Sequence, residues 1–211
     1  MLHFNTVEPE TLKLLRDLQA HGECRHFSLA GGTALSLHLG HRISIDLDLF
    51  TQDQFDSNAL FESLRDSELF RDTVASCSQT VNSLSMFIKT EMREVKVDLI
   101  RHHYSLLMPV QCIDDIRFFS LQDIAAMKLN AIANRGCKKD FFDVHSLLEL
   151  FSPAELLSFF EEKYAQINSF TVMKSLTYFD DAEADPEPMS LSGITWHEVK
   201  SRLNSLVKNH F

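Results

Sequence analysis

The chain has 211 residues, with 20 Lys and Arg against 30 Asp and Glu, a net charge of −10, and 45% apolar residues. This is long enough for one domain with a substantial core, or for two small lobes sharing an interface. The negative balance argues against a protein coated in nucleic acid but leaves room for a local basic cleft around a nucleotide or an RNA end. No run of about eighteen apolar residues predicts a membrane span. The N-terminus lacks the basic-then-apolar pattern of a secretory signal. The scattered cysteines (Cys24, Cys77, Cys112, Cys137) show no C-x-x-C spacing and fit a reduced, cytoplasmic protein.

In chain order, Pro9 suits the first turn of a helix in which Leu12, Leu15 and Leu18 form one apolar stripe from Glu10 to Gln19, ended by His21-Gly22. Phe27 to Ala30 reads as a short apolar strand running into Gly31-Gly32-Thr33. Glycines there allow a tight turn with close backbone approach to a ligand. The helix expected over Ala34 to Leu39 would turn its first N–H groups toward any anion held in that turn.

From Ile43 to Phe50 the pattern has period two. Ile43, Ile45, Leu47 and Leu49 alternate with Ser44, Asp46, Asp48 and Phe50, as in a half-buried strand. One face is branched aliphatic and is expected in the core; the other aims Asp46 and Asp48 the same way, roughly 7 Å apart. Two like charges so placed repel unless a cation sits between them, and hard oxygen ligands suit Mg²⁺. A D-x-D alone is as readily a strand face meeting water. Joined to a Gly-Gly-Thr turn just upstream, it sets a phosphate cradle beside a metal site.

With those residues in hand, G-G-T…D-x-D resembles the DNA polymerase β-type nucleotidyltransferase superfamily. The longer string GGTALSLHLGHRISIDLDLF resembles the AbiEii/AbiGii-type toxin nucleotidyltransferases, whose R-x-S-x-D-x-D order is matched by Arg42, Ser44, Asp46 and Asp48.

Ser57 is placed to cap a helix from Asn58 to about Leu69. Three strand-like segments follow, Thr73 to Gln79, Ser83 to Thr90 and Glu94 to Arg101. On the last, Val95, Val97 and Leu99 share one face, and Lys96, Asp98 and Ile100 the other. The superfamily takes a third carboxylate from a later strand, and Asp98 matches it, as a metal ligand or as the base for an attacking hydroxyl. His102 and His103 point to opposite faces and make a poor joint metal site.

Pro109 to Phe119 reads as a loop leading to a short strand. Ser120 and Asp123 resemble a capping box for a helix whose Lys128 and Arg135 lie about 700° apart, nearly on one face. By themselves these cations are as readily solvated surface residues. Gly136 breaks the helix, and Lys138-Lys139-Asp140 opens the next, with Asp143 one turn on. The family's downstream pattern, a Lys, a later Arg and K/R-D-x-x-D, is matched by Lys128, Arg135, Lys139, Asp140 and Asp143. Further helices are expected from Ser152-Pro153 to about Ala165, from Ile167 to Phe179 and from Trp196 to Val207, with Asp180 to Met189 an exposed acidic connection.

Together these readings imply an α/β (α+β) fold, a small mixed sheet flanked by helices over residues 1–119 and a helical lobe over 120–211. The resemblance implies Mg²⁺-dependent transfer of a nucleoside monophosphate from a nucleoside triphosphate, with two Mg²⁺ (Mn²⁺ as an alternative) on Asp46, Asp48 and Asp98. It assigns phosphates to Gly31, Gly32, Thr33, Arg42, Ser44, Lys128 and Arg135, with Asp140 or Asp143 positioning substrate or helix ends. It implies the tRNA 3′ end as a candidate acceptor and a cognate antitoxin as a candidate partner; no membrane partner is expected, since no apolar run is long enough to span one. A small-molecule or protein acceptor on the same fold, or a non-catalytic nucleotide-binding module, are the alternatives.

Overall fold

The computed structural model describes residues 1–71 and 73–210. Its strands are β1 (Ser28–Ala30), β2 (Leu47–Thr51), β3 (Val74–Thr80), β4 (Ser83–Lys89), β5 (Glu94–Arg101), β6 (Gln111–Ile113) and β7 (Ile116–Phe118). They form one mixed sheet ordered β3-β4-β5-β2-β1-β7-β6, parallel between β2 and β5 and between β1 and β7, antiparallel elsewhere. Alternation builds it: Leu47 and Leu49, Leu84, Met86 and Ile88, and Val95, Val97 and Leu99 are all buried from one side of three adjacent strands.

The helices are α1 (Pro9–Ala20), α2 (Gly31–Leu39), α3 (Ser57–Asp66), α4 (Leu121–Asn134), α5 (Lys138–Leu147), α6 (Pro153–Lys163), α7 (Ser169–Ser175), α8 (Asp180–Glu183) and α9 (Trp196–His210). Helix α2 joins the two halves of the molecule. Its mean hydropathy is high and Ala34, Leu35 and Leu37 are fully buried, so it packs on β1 and β2 and also on α4 and α5. Gly40, at φ +69, ends it with the left-handed cap that glycine favours. One hydrophobic cluster runs from Leu2 to Leu203 through sheet and helices alike.

Several expectations need correction. Strand β2 starts at Leu47 rather than Ile43, and Ile45 is 42% exposed, so the aliphatic face does not extend upstream of the aspartates. Residues 41–43 pair instead with a late segment: Ile43 N–H donates to the Met189 carbonyl at 2.9 Å, and Leu191 N–H to the His41 carbonyl at 2.8 Å. The acidic stretch is exposed over most of its length, as expected, but its far end is tied to this segment by backbone hydrogen bonds. It includes α8 with buried Ala182, and Lys138 Nζ donates to the carbonyl of Asp185 at 2.5 Å. Within the predicted loop, β6 and β7 form a hairpin turned by Asp114 and Asp115, both at positive φ.

Ser120 caps α4, accepting from Asp123 N–H at 3.0 Å. The Asp123 carboxylate has a further duty: it accepts from Lys163 Nζ at 2.6 Å and from Leu107 N–H at 2.9 Å, tying α6 and the segment after β5 to the start of α4. Helix α6 carries the expected capping box of Ser152 and Glu155. Helix α7 is shorter than the span foreseen from Ile167 to Phe179.

Candidate active site

Parallel pairing of β2 with β5 sets Asp48 opposite Asp98, and antiparallel pairing of β1 with β2 sets Ala30 opposite Asp48. The β1–α2 junction therefore arrives beside the two carboxylates. Gly31 lies at φ +66, and a Cβ there would overlap Asp48 Oδ2, so both its backbone conformation and its contact demand glycine. No side chain caps α2, which leaves its first N–H groups for another acceptor. Gly31, Asp48, Asp98, Lys128 and Arg135 border one cavity of about 350 Å³. Asp46, just before β2, borders a second cavity of about 820 Å³ together with Arg42, Ser44 and Lys139.

The carboxylates feel one another. Burial raises the pKa of Asp48; the charge of Lys128 opposes this, while those of Asp98 and Asp46 add to it. A lysine that carried no role in the sequence reading stands among them: Lys96 Nζ donates to Asp98 Oδ2 at 2.5 Å. Partial burial works against its charge, but the bond to Asp98 and the charges of Asp98, Asp48 and Asp46 hold its pKa above the ordinary ammonium value. Its position two residues before Asp98, on the same strand face, was the available signal. Lys139 Nζ lies 3.7 Å from Asp46 Oδ2.

As donors for a divalent cation, Asp46, Asp48 and Asp98 are chemically suited. All are hard oxygen ligands, their charges are mutually unfavourable, and Asp98 Oδ1 is buried without a hydrogen-bond partner among the described residues. Among those residues, no group of three His, Cys, Asp or Glu side chains is already assembled as a metal cage.

Other predicted site residues are engaged differently from what the motif alone suggests. Thr33 is fully buried; its hydroxyl donates to the Asp46 carbonyl and shares a 2.8 Å hydrogen bond with Ser44 Oγ. It therefore shapes the segment that presents Asp46 rather than offering a donor to phosphate. Gly32 gives room to the Arg42 guanidinium, which a Cβ would strike. Arg42 is itself buried. Its Nε and Nη2 donate to Asp143 at 2.7 and 3.0 Å and its Nη1 to the Ile43 carbonyl at 3.1 Å, so it has no free fork for a ligand.

Lys128 is likewise committed, with Nζ 2.9 Å from Asp140 Oδ1 and 2.6 Å from Asp143 Oδ2, although it borders the cavity. Arg135 donates to Asp140 at 2.9 and 3.1 Å, with its side chain 55% exposed. Two turns of α4 and one turn of α5 thus place cations against carboxylates of the neighbouring helix. Burial opposes ionisation of Asp143, but Arg42, Lys128 and the His41 hydrogen bond hold its pKa well below the usual carboxylate range. Asp140 is lowered in the same way: against its burial stand Lys128 and Arg135. His41, 2.7 Å from Asp143, was missed by the sequence reading, and its place next to Arg42 was the only hint.

Comparison with known proteins bears on the family and the fold. The model of the family described as nucleotidyl transferase AbiEii toxin, type IV TA system, matches residues 13–207. A protein of Aquifex aeolicus (strain VF5), aq_aa25, described as uncharacterized, is 33% identical over 214 residues, covering 97% of each chain. Among solved structures, JHP933 from Helicobacter pylori has a TM-score of 0.57 at 17% identity, covering 96% of this chain and 92% of that one. MenT4, a nucleotidyltransferase toxin from Mycobacterium tuberculosis H37Rv, has a TM-score of 0.58 at 13% identity, covering 95% of this chain and 83% of that one. These two likenesses concern the fold.

Proposed function

Since the chain belongs to the AbiEii family of nucleotidyltransferase toxins, we propose that it moves a nucleoside monophosphate from a nucleoside triphosphate to the tRNA 3′ end in a Mg²⁺-dependent reaction, and that a cognate antitoxin restrains it in the cytoplasm. The observation that carries this reading is the register of Asp48 with Asp98 across parallel strands, beside the uncapped N-terminus of α2 and open to one cavity.

In this reading Asp46, Asp48 and Asp98 hold the metal. When bound, Mg²⁺ supplies charge neutralisation of the triphosphate and makes the attacking hydroxyl more acidic. The backbone at Gly31 and Gly32 receives phosphate oxygens at the helix start. Arg135, partly exposed on the cavity rim, is the side-chain donor best placed to meet the leaving pyrophosphate. Lys128, Asp140, Asp143 and Arg42 act as a buried frame that fixes α4 and α5 against the β1–α2 junction, and the segment holding Ser44 and Asp46 is steadied through Thr33. Residues 1–119 and 120–211 form the two walls of the cleft.

In the transfer step the acceptor hydroxyl oxygen bonds to the α-phosphorus, the bond from that phosphorus to the bridging oxygen breaks, and pyrophosphate departs. The hydroxyl proton passes to Asp98. The side chain of Lys96, paired with that carboxylate, has to give way when the site loads.

The direct test is transfer of label from each α-³²P nucleoside triphosphate onto total tRNA with Mg²⁺, comparing wild type with Asp46→Asn. Label that disappears in the variant supports the reading. Absence of label with every nucleotide overturns the tRNA acceptor.

A further inference from the structure

The cavity bordered by the carboxylates has a second end of different character. Along β2, Phe50 follows Asp48 on the same face; along β5, Ile100 follows Asp98, and His102 comes just past the strand's end. At about 3.3 Å per residue, Ile100 lies roughly 7 Å and His102 roughly 13 Å beyond Asp98. That is the reach of a nucleotide from its phosphates to the far edge of its base. Phe50, His102, Tyr104 and Tyr164 border this end. A space of about 350 Å³ that is polar at one end and aromatic at the other fits one small ligand with the same division.

Two rings there are unusual. Tyr104 is 41% exposed yet firmly seated, with its ring against buried Tyr164 at a centroid distance of 4.5 Å and its carbonyl accepting from Gln52 Nε2 at 3.1 Å. His102 is 92% buried among Phe50, Phe119 and Tyr104, its backbone N–H donates to the Thr51 carbonyl at 2.7 Å, and its ring Nε2 has no partner among the described residues.

Resting on the nucleotidyl-transfer reading, we propose that this aromatic end receives the nucleobase of the triphosphate, with Tyr104 as its stacking ring and His102 as the side chain that reads the base edge and sets nucleotide selectivity. Every base has a π-face, so Tyr104 governs affinity without preference. A single ring nitrogen distinguishes a donor from an acceptor on the base edge, so His102 governs choice among bases.

The test measures KM for each of the four nucleoside triphosphates, with inorganic tripolyphosphate as a competitor that has no base. Tyr104→Ala is expected to raise KM about 5- to 150-fold for all four, the range of one base–aromatic stack. It leaves tripolyphosphate inhibition unchanged, and Tyr104→Phe restores KM. His102→Phe keeps a ring but loses the nitrogen, and is expected to bring the four KM values together. Equal loss of tripolyphosphate and nucleotide binding in Tyr104→Ala, or an unaltered nucleotide ranking in His102→Phe, overturns the assignment while leaving nucleotidyl transfer intact. A wild-type protein that turns over none of the four overturns both.

Discussion

Arg42 and Asp143, 101 positions apart in the chain, meet as a buried bidentate pair, with the guanidinium Nε at 2.7 Å and Nη2 at 3.0 Å from the carboxylate. The same carboxylate also takes Lys128 Nζ at 2.6 Å and His41 Nε2 at 2.7 Å. One acidic side chain on α5 thus gathers cations from α4 and from the segment leading to Asp46. Removing it leaves Arg42 buried without its counter-charge and Lys128 with Asp140 alone. Asp143→Ala is expected to cost about 3–5 kcal/mol, a fall in Tm of about 6–20 °C for a chain of this size, read by thermal denaturation of the metal-free protein. A change within experimental scatter would show that the network is not what holds α5 in place.

Acid sensitivity follows from the same residues. Asp143 and Asp140 are held below the ordinary carboxylate range by Arg42, Lys128 and Arg135, against the effect of burial. Their stabilising contribution is complete above the unfolded-state value of about 3.9, and is lost as pH falls through the depressed folded-state values. The urea midpoint of wild type should therefore decline steeply below about pH 4, and Asp143→Asn, already weakened, should decline less steeply there. Parallel acid limbs for the two proteins would contradict this.

Asp48 has the opposite sign. Burial and the charges of Asp98 and Asp46 raise its pKa, so its ionised form costs the folded protein stability above that raised value, and the cost disappears below the unfolded-state value. Asp48→Asn should abolish nucleotidyl transfer yet raise the Tm of the metal-free protein, by about 2–4 °C for each ~1 kcal/mol relieved. Added Mg²⁺ should raise the Tm of wild type more than that of the variant, because a ligand stabilises only the state that binds it. A thermal-shift series with and without Mg²⁺ reads both effects, and a less stable Asp48→Asn would count against the charge-crowding account.

Gly31 offers a steric test of the same carboxylate. At φ +66, a Cβ would meet Asp48 Oδ2. Gly31→Ala should lower stability by about 1–2 kcal/mol through the left-handed backbone, and cut kcat/KM on the order of 100-fold by moving Asp48. Gly22→Ala is the control: nothing lies within 4 Å of a Cβ at Gly22, and its φ is not positive, so activity should be unchanged.

Much of this arrangement could be read from the chain because it is local. The period-two run fixed the face carrying Asp48, the glycine pair marked the approach of the backbone, and the same alternation put Asp98 on the matching face of a later strand. What escaped depends on partners distant in sequence. Nothing near Lys128 announces that Asp140 and Asp143 neutralise it, because helical cations ordinarily face water, and nothing near Arg42 points to Asp143. Ile45 fits an aliphatic face that ends before it, since residues 41–43 pair with 189–191 instead of continuing β2. The hairpin of β6 and β7 turns on Asp114-Asp115, a weaker signal than the Asn-Gly or Asp-Gly usual in such turns.

That late pairing also bears on timing. The segment presenting Arg42, Ser44 and Asp46 is braced by backbone hydrogen bonds to Met189 and from Leu191, and Lys138 grips the carbonyl of Asp185 beside it. During synthesis, therefore, the Gly-Gly turn and both strand aspartates emerge long before the residues that hold their neighbourhood in shape. A nascent chain carries the chemical groups of the toxin without their final bracing until residues 185–191 are out.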